Sequence, residues 1–128
     1  MNVLLDTHTL IWFSISPSRL SEKIINLLSD ADNNLFLSIA SVWEIQTKYQ
    51  LGKLNLDLPL PELIETQKQT NGLQILPIEL SHIYTLDSLP NHHRDPFDRI
   101  LIAQAIFEKM PLLSIDGIFD AYPINKIW

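Results

Sequence analysis

Val3-Leu4-Leu5-Asp6 is a short apolar run closed by a carboxylate, and Pro111-Leu112-Leu113-Ser114-Ile115-Asp116 repeats the arrangement near the other end of the chain. A brief apolar run without polar alternation suits a strand buried on both faces. Leu35-Phe36-Leu37, Leu73 to Ile78 and a final stretch from Ile124 to Trp128 read the same way. Helical patterns fall between them. One spans Ser18 to Asp30, with Leu20, Ile24, Leu27 and Leu28 on one face. A second opens at Ser41 and closes at Gly52, a third runs from Pro61 to Thr70 before Asn71-Gly72, and a fourth from Ser81 to Leu89. The last starts at Asp95-Pro96, an N-cap followed by proline in the first turn, and reaches Lys109. Asp32-Asn33-Asn34 reads as a turn and Lys53 to Leu60 as a loop. Strands alternating with helices predict an α/β fold with a parallel sheet covered on both faces.

At 128 residues the chain fits one domain, 1–128, and 46% apolar content supplies a core without staples. There is no cysteine, which excludes disulfides and thiolate metal sites. Val3-Leu4-Leu5 meets Asp6 at once and has no basic segment before it, so no signal peptide is expected. No apolar run approaches a membrane span. A soluble, cytoplasmic protein is the expectation. The net charge of −6 argues against passive nucleic-acid binding. It does not argue against a nuclease, because bound cations reverse the local sign. Surplus acidity also suits a basic protein partner.

Four acids, Asp6, Glu44, Asp98 and Asp116, lie at the edges of separate apolar runs. In an open parallel sheet the carboxyl ends of the strands share one crevice, so these acids are expected to meet there. Carboxylates crowded together repel and raise one another's pKa, and a divalent cation resolves that conflict. An all-oxygen donor set suits Mg²⁺ or Mn²⁺, which points to metal-assisted phosphate-ester chemistry. Each acid also has an ordinary explanation. Asp6 could cap a helix beginning at Leu10-Ile11-Trp12-Phe13. Glu44 follows Ser41 at capping-box spacing. Asp95 is accounted for as the cap before Pro96, which leaves Asp98 as the better ligand of that pair. Asp116-Gly117 is common turn chemistry. Thr7 and Ser114 flank the first and last acids and could bind a metal water or a phosphate, though small hydroxyl residues there commonly form turns.

Other chemistries find little support. The four histidines lack zinc-helix spacing; His92 and His93 are adjacent in a loop, where their side chains should diverge, and His8 and His82 stand alone. No Gly-rich phosphate loop or Gly-x-Ser-x-Gly turn is present. A phosphoaspartyl phosphatase wants a second Asp where this chain has His8. A receiver-type domain wants an Asp after the central strand, where Glu79 stands.

Leu4-Leu5-Asp6-Thr7-His8, Ser41-Val42-Trp43-Glu44-Ile45, His93-Arg94-Asp95-Pro96-Phe97-Asp98-Arg99 with Leu101-Ile102-Ala103-Gln104-Ala105, and Leu113-Ser114-Ile115-Asp116 together resemble the PIN-domain family, and within it the VapC-type toxin ribonucleases. Each motif is short; four in order across nearly the whole chain are specific. The resemblance implies a three-layer α/β/α sandwich with a central parallel sheet. It implies Mg²⁺- or Mn²⁺-dependent endoribonuclease activity that leaves 5′-phosphate and 3′-hydroxyl ends, with Asp6, Glu44 and Asp98 as core acids and Asp116 as the fourth. It implies a homodimer, an RNA substrate and a cognate antitoxin whose tail enters the active-site groove. Many relatives carry Asn where this chain has His8. The expected division of labour is that Asp6, Asp98 and Asp116 hold one or two ions while Glu44 ligates or orients the attacking water. Arg94, Arg99, Lys48 and Lys53 are candidates to steer the RNA backbone. The alternatives are a non-catalytic PIN-like interaction module, whose acids only cap helices, and a free-standing RNA-processing nuclease without an antitoxin. Trp12, Trp43 and Tyr49 are candidates for a dimer face if exposed.

Overall fold

A computed structural model describes all of residues 1–128. Five strands form one parallel sheet: β1 (Asn2–Leu5), β2 (Asn34–Ser38), β3 (Gln74–Leu76), β4 (Leu112–Leu113) and β5 (Lys126–Ile127), in the order β3-β2-β1-β4-β5. Six helices connect and cover them: α1 (Thr7–Ile15), α2 (Glu22–Ser29), α3 (Ile39–Gln50), α4 (Leu60–Asn71), α5 (Leu80–Thr85) and α6 (Pro96–Glu108). Strand pleating sorts the core into two layers, because alternate side chains point to opposite faces. Val3, Leu5, Leu35, Leu37 and Leu113 pack with Leu10, Ile24, Leu28, Ile45 and Leu63 on one face. Leu4 and Leu112 pack on the other with Leu76, Ile100, Leu101, Ala105 and Phe119. The result is a three-layer α/β/α sandwich, as the alternation of elements predicts. No helix is long and apolar enough to cross a membrane.

Several boundaries differ from the expectation. The helix expected from Ser18 breaks into a 3₁₀ turn, Pro17–Arg19, and α2, because Ser21 takes extended backbone and caps α2 through Ile24 N–H. The helix expected from Ser41 begins earlier. Ser38 ends β2 and caps α3 directly, accepting from Ala40 N–H at 3.0 Å. Ser41 and Glu44 therefore form no capping box. Residues 81–89 divide into α5 and a 3₁₀ turn, Leu86–Ser88. Gly52 and Gly72 follow α3 and α4 with positive φ, 72° and 67°, the left-handed conformation that glycine adopts without a Cβ clash.

The topology positions the site. From central β1 the chain moves outward to β2 and β3, then crosses back to lay down β4 and β5 on the opposite side. Strand order reverses between β1 and β4, and the crevice beyond their carboxyl ends is where open α/β sheets place ligands.

Candidate active site

Asp6 leaves β1 at this switch point. Its backbone N–H continues the ladder to Leu113 O at 3.1 Å, and Thr9 Oγ1 donates to the same carbonyl at 2.8 Å. The Asp6 carboxylate is buried, and each oxygen accepts one hydrogen bond: Oδ1 from Thr9 N–H at 2.7 Å and Oδ2 from Ser114 Oγ. Both readings of Asp6 therefore hold, since it caps α1 and also faces the crevice. Ser114 Oγ accepts in turn from Asp116 N–H at 3.0 Å, so one hydroxyl links the acids that follow β1 and β4. Asp116 is exposed and caps the 3₁₀ turn Gly117–Ala121 through Ile118 N–H at 3.0 Å.

Glu44 sits in the second turn of α3, on the face turned toward α1. It is 6% exposed, and both oxygens are occupied. Thr7 Oγ1 donates to Oε1 at 2.6 Å, and Lys48 Nζ lies 2.8 Å from Oε2. Lys48, expected as a cation for RNA, is thus committed to an acid of the cleft. Thr7 and Ser114 likewise spend their hydroxyls on carboxylates.

Asp95 and Asp98 open α6. Asp95 Oδ1 accepts from Phe97 N–H at 2.9 Å and from Asp98 N–H at 3.2 Å, the cap expected from the sequence. Asp98 projects from the first turn into a cleft of about 200 Å³ that Asp6, Glu44, Asp95 and Asp116 also line, with Thr7, His8 and Lys48. Its carboxyl is pushed up to about 7, first by burial and then by Asp95, Glu44, Asp116 and Asp6. Five acids, from the starts of α1, α6 and the 3₁₀ turn and from the interior of α3, thus share a cleft in which Lys48 is the one cation. No three of them converge as a ready-made ion-binding group. The donor chemistry nonetheless fits a hard divalent cation: the ligand atoms are carboxylate oxygens, and burial together with their repulsion leaves one acid holding its proton near neutrality.

The remaining candidates separate. Arg99 Nη1 donates to Pro90 O at 3.0 Å and His93 O at 3.4 Å, so it pins the loop before α6. Arg94 and Lys53 are exposed. Trp43 and Tyr49 are exposed, 64% and 51%, whereas Trp12 packs on the core beside Trp128 and under Arg19. His92 and His93 do not diverge as expected. Both rings stand edge-on to Tyr122, at 5.1 and 5.4 Å. His82 is wholly buried: its Nδ1 accepts from Glu79 N–H and its Nε2 lies 3.0 Å from Glu108. Tyr122 is not singled out by the sequence, because nothing local to Asp120-Ala121-Tyr122-Pro123 marks the tyrosine as a neighbour of the α6 entrance.

Comparison with known proteins agrees with this geometry. The PIN domain family matches residues 3–125. Ribonuclease VapC22 of Mycobacterium tuberculosis (strain ATCC 25618 / H37Rv) is 29% identical over 115 residues, covering 89% of this chain and 86% of its own. Two solved structures share the fold. A chain of VapBC2 from Rickettsia felis, solved bound to a DNA fragment from their promoter, superposes with a TM-score of 0.75 at 16% identity, covering 99% of this chain and 98% of that one. FitAcB from Neisseria gonorrhoeae gives a TM-score of 0.68 at 20% identity, covering 100% and 97%. With the four acid motifs in order and the matched region spanning nearly its whole length, the chain belongs to the PIN domain family.

Proposed function

We propose that residues 1–128 act as one PIN-like domain, a divalent-metal-dependent endoribonuclease that serves as the toxin of a type II toxin–antitoxin pair. The observation that carries this is the cleft at the β1/β4 switch point, where Asp6, Glu44, Asp98 and Asp116 gather from four remote segments. Likeness to a ribonuclease and to chains from two-component complexes supports the activity and the partner.

Mg²⁺ or Mn²⁺ bound in this cleft would supply a water of lowered pKa and stabilise charge developing on the scissile phosphate. Asp6, Asp98 and Asp116 are the residues assigned to hold it. Ser114 and the start of α1 fix Asp6, so its carboxylate is set before any ligand arrives. Glu44, held by Thr7 and Lys48, faces the same space and is assigned to orient the attacking water or to ligate. Asp95 keeps α6 capped and adds negative charge at the rim. Arg94, exposed and next to Asp95 in sequence, is assigned to meet an RNA backbone passing the cleft. The cognate antitoxin and a second copy of the chain are the protein partners of this reading.

The test is cleavage of a mixed RNA pool by purified protein, with Mg²⁺ or Mn²⁺ against EDTA, beside Asp6→Asn. We expect metal-dependent cutting that the variant loses while remaining folded. Full activity in Asp6→Asn would remove Asp6 from the site. A second reading rests on a specific observation: Asp6, Asp95 and Asp116 all cap helices, as they would in a non-catalytic interaction module. Folded protein that cuts no RNA with either metal would favour that reading.

A further inference from the structure

His93 lies in the loop between the Leu86–Ser88 turn and α6, with its side chain largely buried. Its Nδ1 is hydrogen-bonded to the hydroxyl of Tyr122, itself 5% exposed. With that hydroxyl donating to Nδ1, the ring hydrogen sits on Nε2. Nε2 is buried without a hydrogen-bond partner, and it stands 3.5 Å from Asp98 Oδ2. A buried N–H needs an acceptor, and the Asp98 carboxylate is the one it faces. The loop around the ring is tied down: His92 also stands edge-on to Tyr122, and Arg99 holds the His93 carbonyl from α6. Tyr122 also follows the turn that Asp116 caps, so the Tyr122–His93 pair joins the segment carrying one acid to the side chain of another.

We propose that His93, held in one tautomer by Tyr122, is a positioning residue for Asp98: its Nε2–H takes one carboxylate oxygen and leaves the other directed at a divalent cation in the cleft. The arrangement is the outer layer that ligands of bound ions commonly need, here a histidine orienting a carboxylate. This inference rests on the metal-dependent reading of the acid cleft. The sequence gives His93 as a loop histidine at the head of the Asp95–Asp98 motif and assigns it no role; what singles it out is the unpartnered nitrogen facing Asp98.

The experiment is calorimetric titration of Mn²⁺ into metal-free protein, for the parent chain, Asp98→Asn, His93→Ala, His93→Gln and Tyr122→Phe, with each Tm measured in EDTA. We expect His93→Ala to weaken Mn²⁺ binding about tenfold or more. His93→Gln should recover most of that loss, because its amide N–H reaches the place of Nε2. Tyr122→Phe should fall between, with Mn²⁺ affinity reduced beyond any change in Tm. Binding unchanged in His93→Ala and Tyr122→Phe, while Asp98→Asn is impaired, overturns the positioning role and leaves the metal reading intact. His93→Gln no better than His93→Ala also overturns it, and identifies His93 as a staple of the loop. A folded parent that binds no Mn²⁺ overturns both.

Discussion

Asp98 holds its proton to about pH 7, chiefly because it is buried and then because Asp95, Glu44, Asp116 and Asp6 surround it. Its ordinary value is 3.8. Between those two pH values the folded state binds more protons than the unfolded state, so this group's contribution to stability declines as pH rises through the window. Without metal, neutralising the side chain should therefore help most where the native protein must ionise it. We expect Asp98→Asn to raise the Tm of metal-free protein near pH 8, with the gain shrinking as pH falls towards 4. Thermal melts in EDTA across that range measure it, and a gain independent of pH would show that Asp98 titrates normally. Glu44 illustrates a different lesson at this scale. Its spacing from Ser41 imitates a capping box, yet its oxygens go to Thr7, thirty-seven positions away, and to Lys48 one turn on. A short motif matches whichever local partner lies nearby in sequence, and the fold supplied a better donor from α1.

Among the elements, the cap of α6 is legible in the sequence and the cap of α3 is not. Asp95-Pro96 opens α6 as expected. Ser38 was missed because it is both the last residue of β2 and the cap of α3, so the apolar run and the helix share a boundary with no turn between them. We expect Ser38→Ala to cost about 1 kcal/mol of stability, the usual loss for a capping hydroxyl. Ser41→Ala should cost less, since that hydroxyl caps nothing. Urea unfolding of the two variants decides between the registers, and the reverse order would restore the Ser41 start. The two central runs extend by a residue or two into β1 and β2, whereas the later strands are shorter than their apolar runs. Leu73 to Ile78 contracts to Gln74–Leu76, and Pro111 to Ile115 contracts to Leu112–Leu113. Leu73 and Ile78 lie outside the ladder yet still pack on the core, so apolar character outruns the strand there, while Ile115 is exposed.

Across the whole molecule the decisive feature is the reversal of strand order between β1 and β4. It brings the segment after Leu5 beside the segment after Leu113, and α3 and α6 bring Glu44 and Asp98 to the same cleft. A cation that binds the folded cleft and not the unfolded chain must stabilise the protein by mass action. We expect Mn²⁺ to raise Tm, by a stability gain of about 2.7 kcal/mol at a hundredfold excess over its dissociation constant. Asp98→Asn should show little of that gain. Differential scanning calorimetry with and without Mn²⁺ measures it, and an equal rise in both proteins would place the ion elsewhere.

The sequence by itself determined the alternation of strands and helices, the parallel covered sheet, the caps at Asp95 and Gly72, and the family to which the four acid motifs belong. These are local properties: apolar period, turn chemistry and residue order are carried by neighbours in the chain. Only the tertiary structure decided that Lys48 is bound to Glu44, that Ser114 ties Asp6 to Asp116, and that Tyr122 turns His93 toward Asp98. Those contacts join residues as far apart as 108 positions. Most depend on which strands became neighbours and which faces the helices cover, and the Glu44–Lys48 pair, though local in α3, was not anticipated. The former are geometric outcomes that no local pattern of side chains encodes.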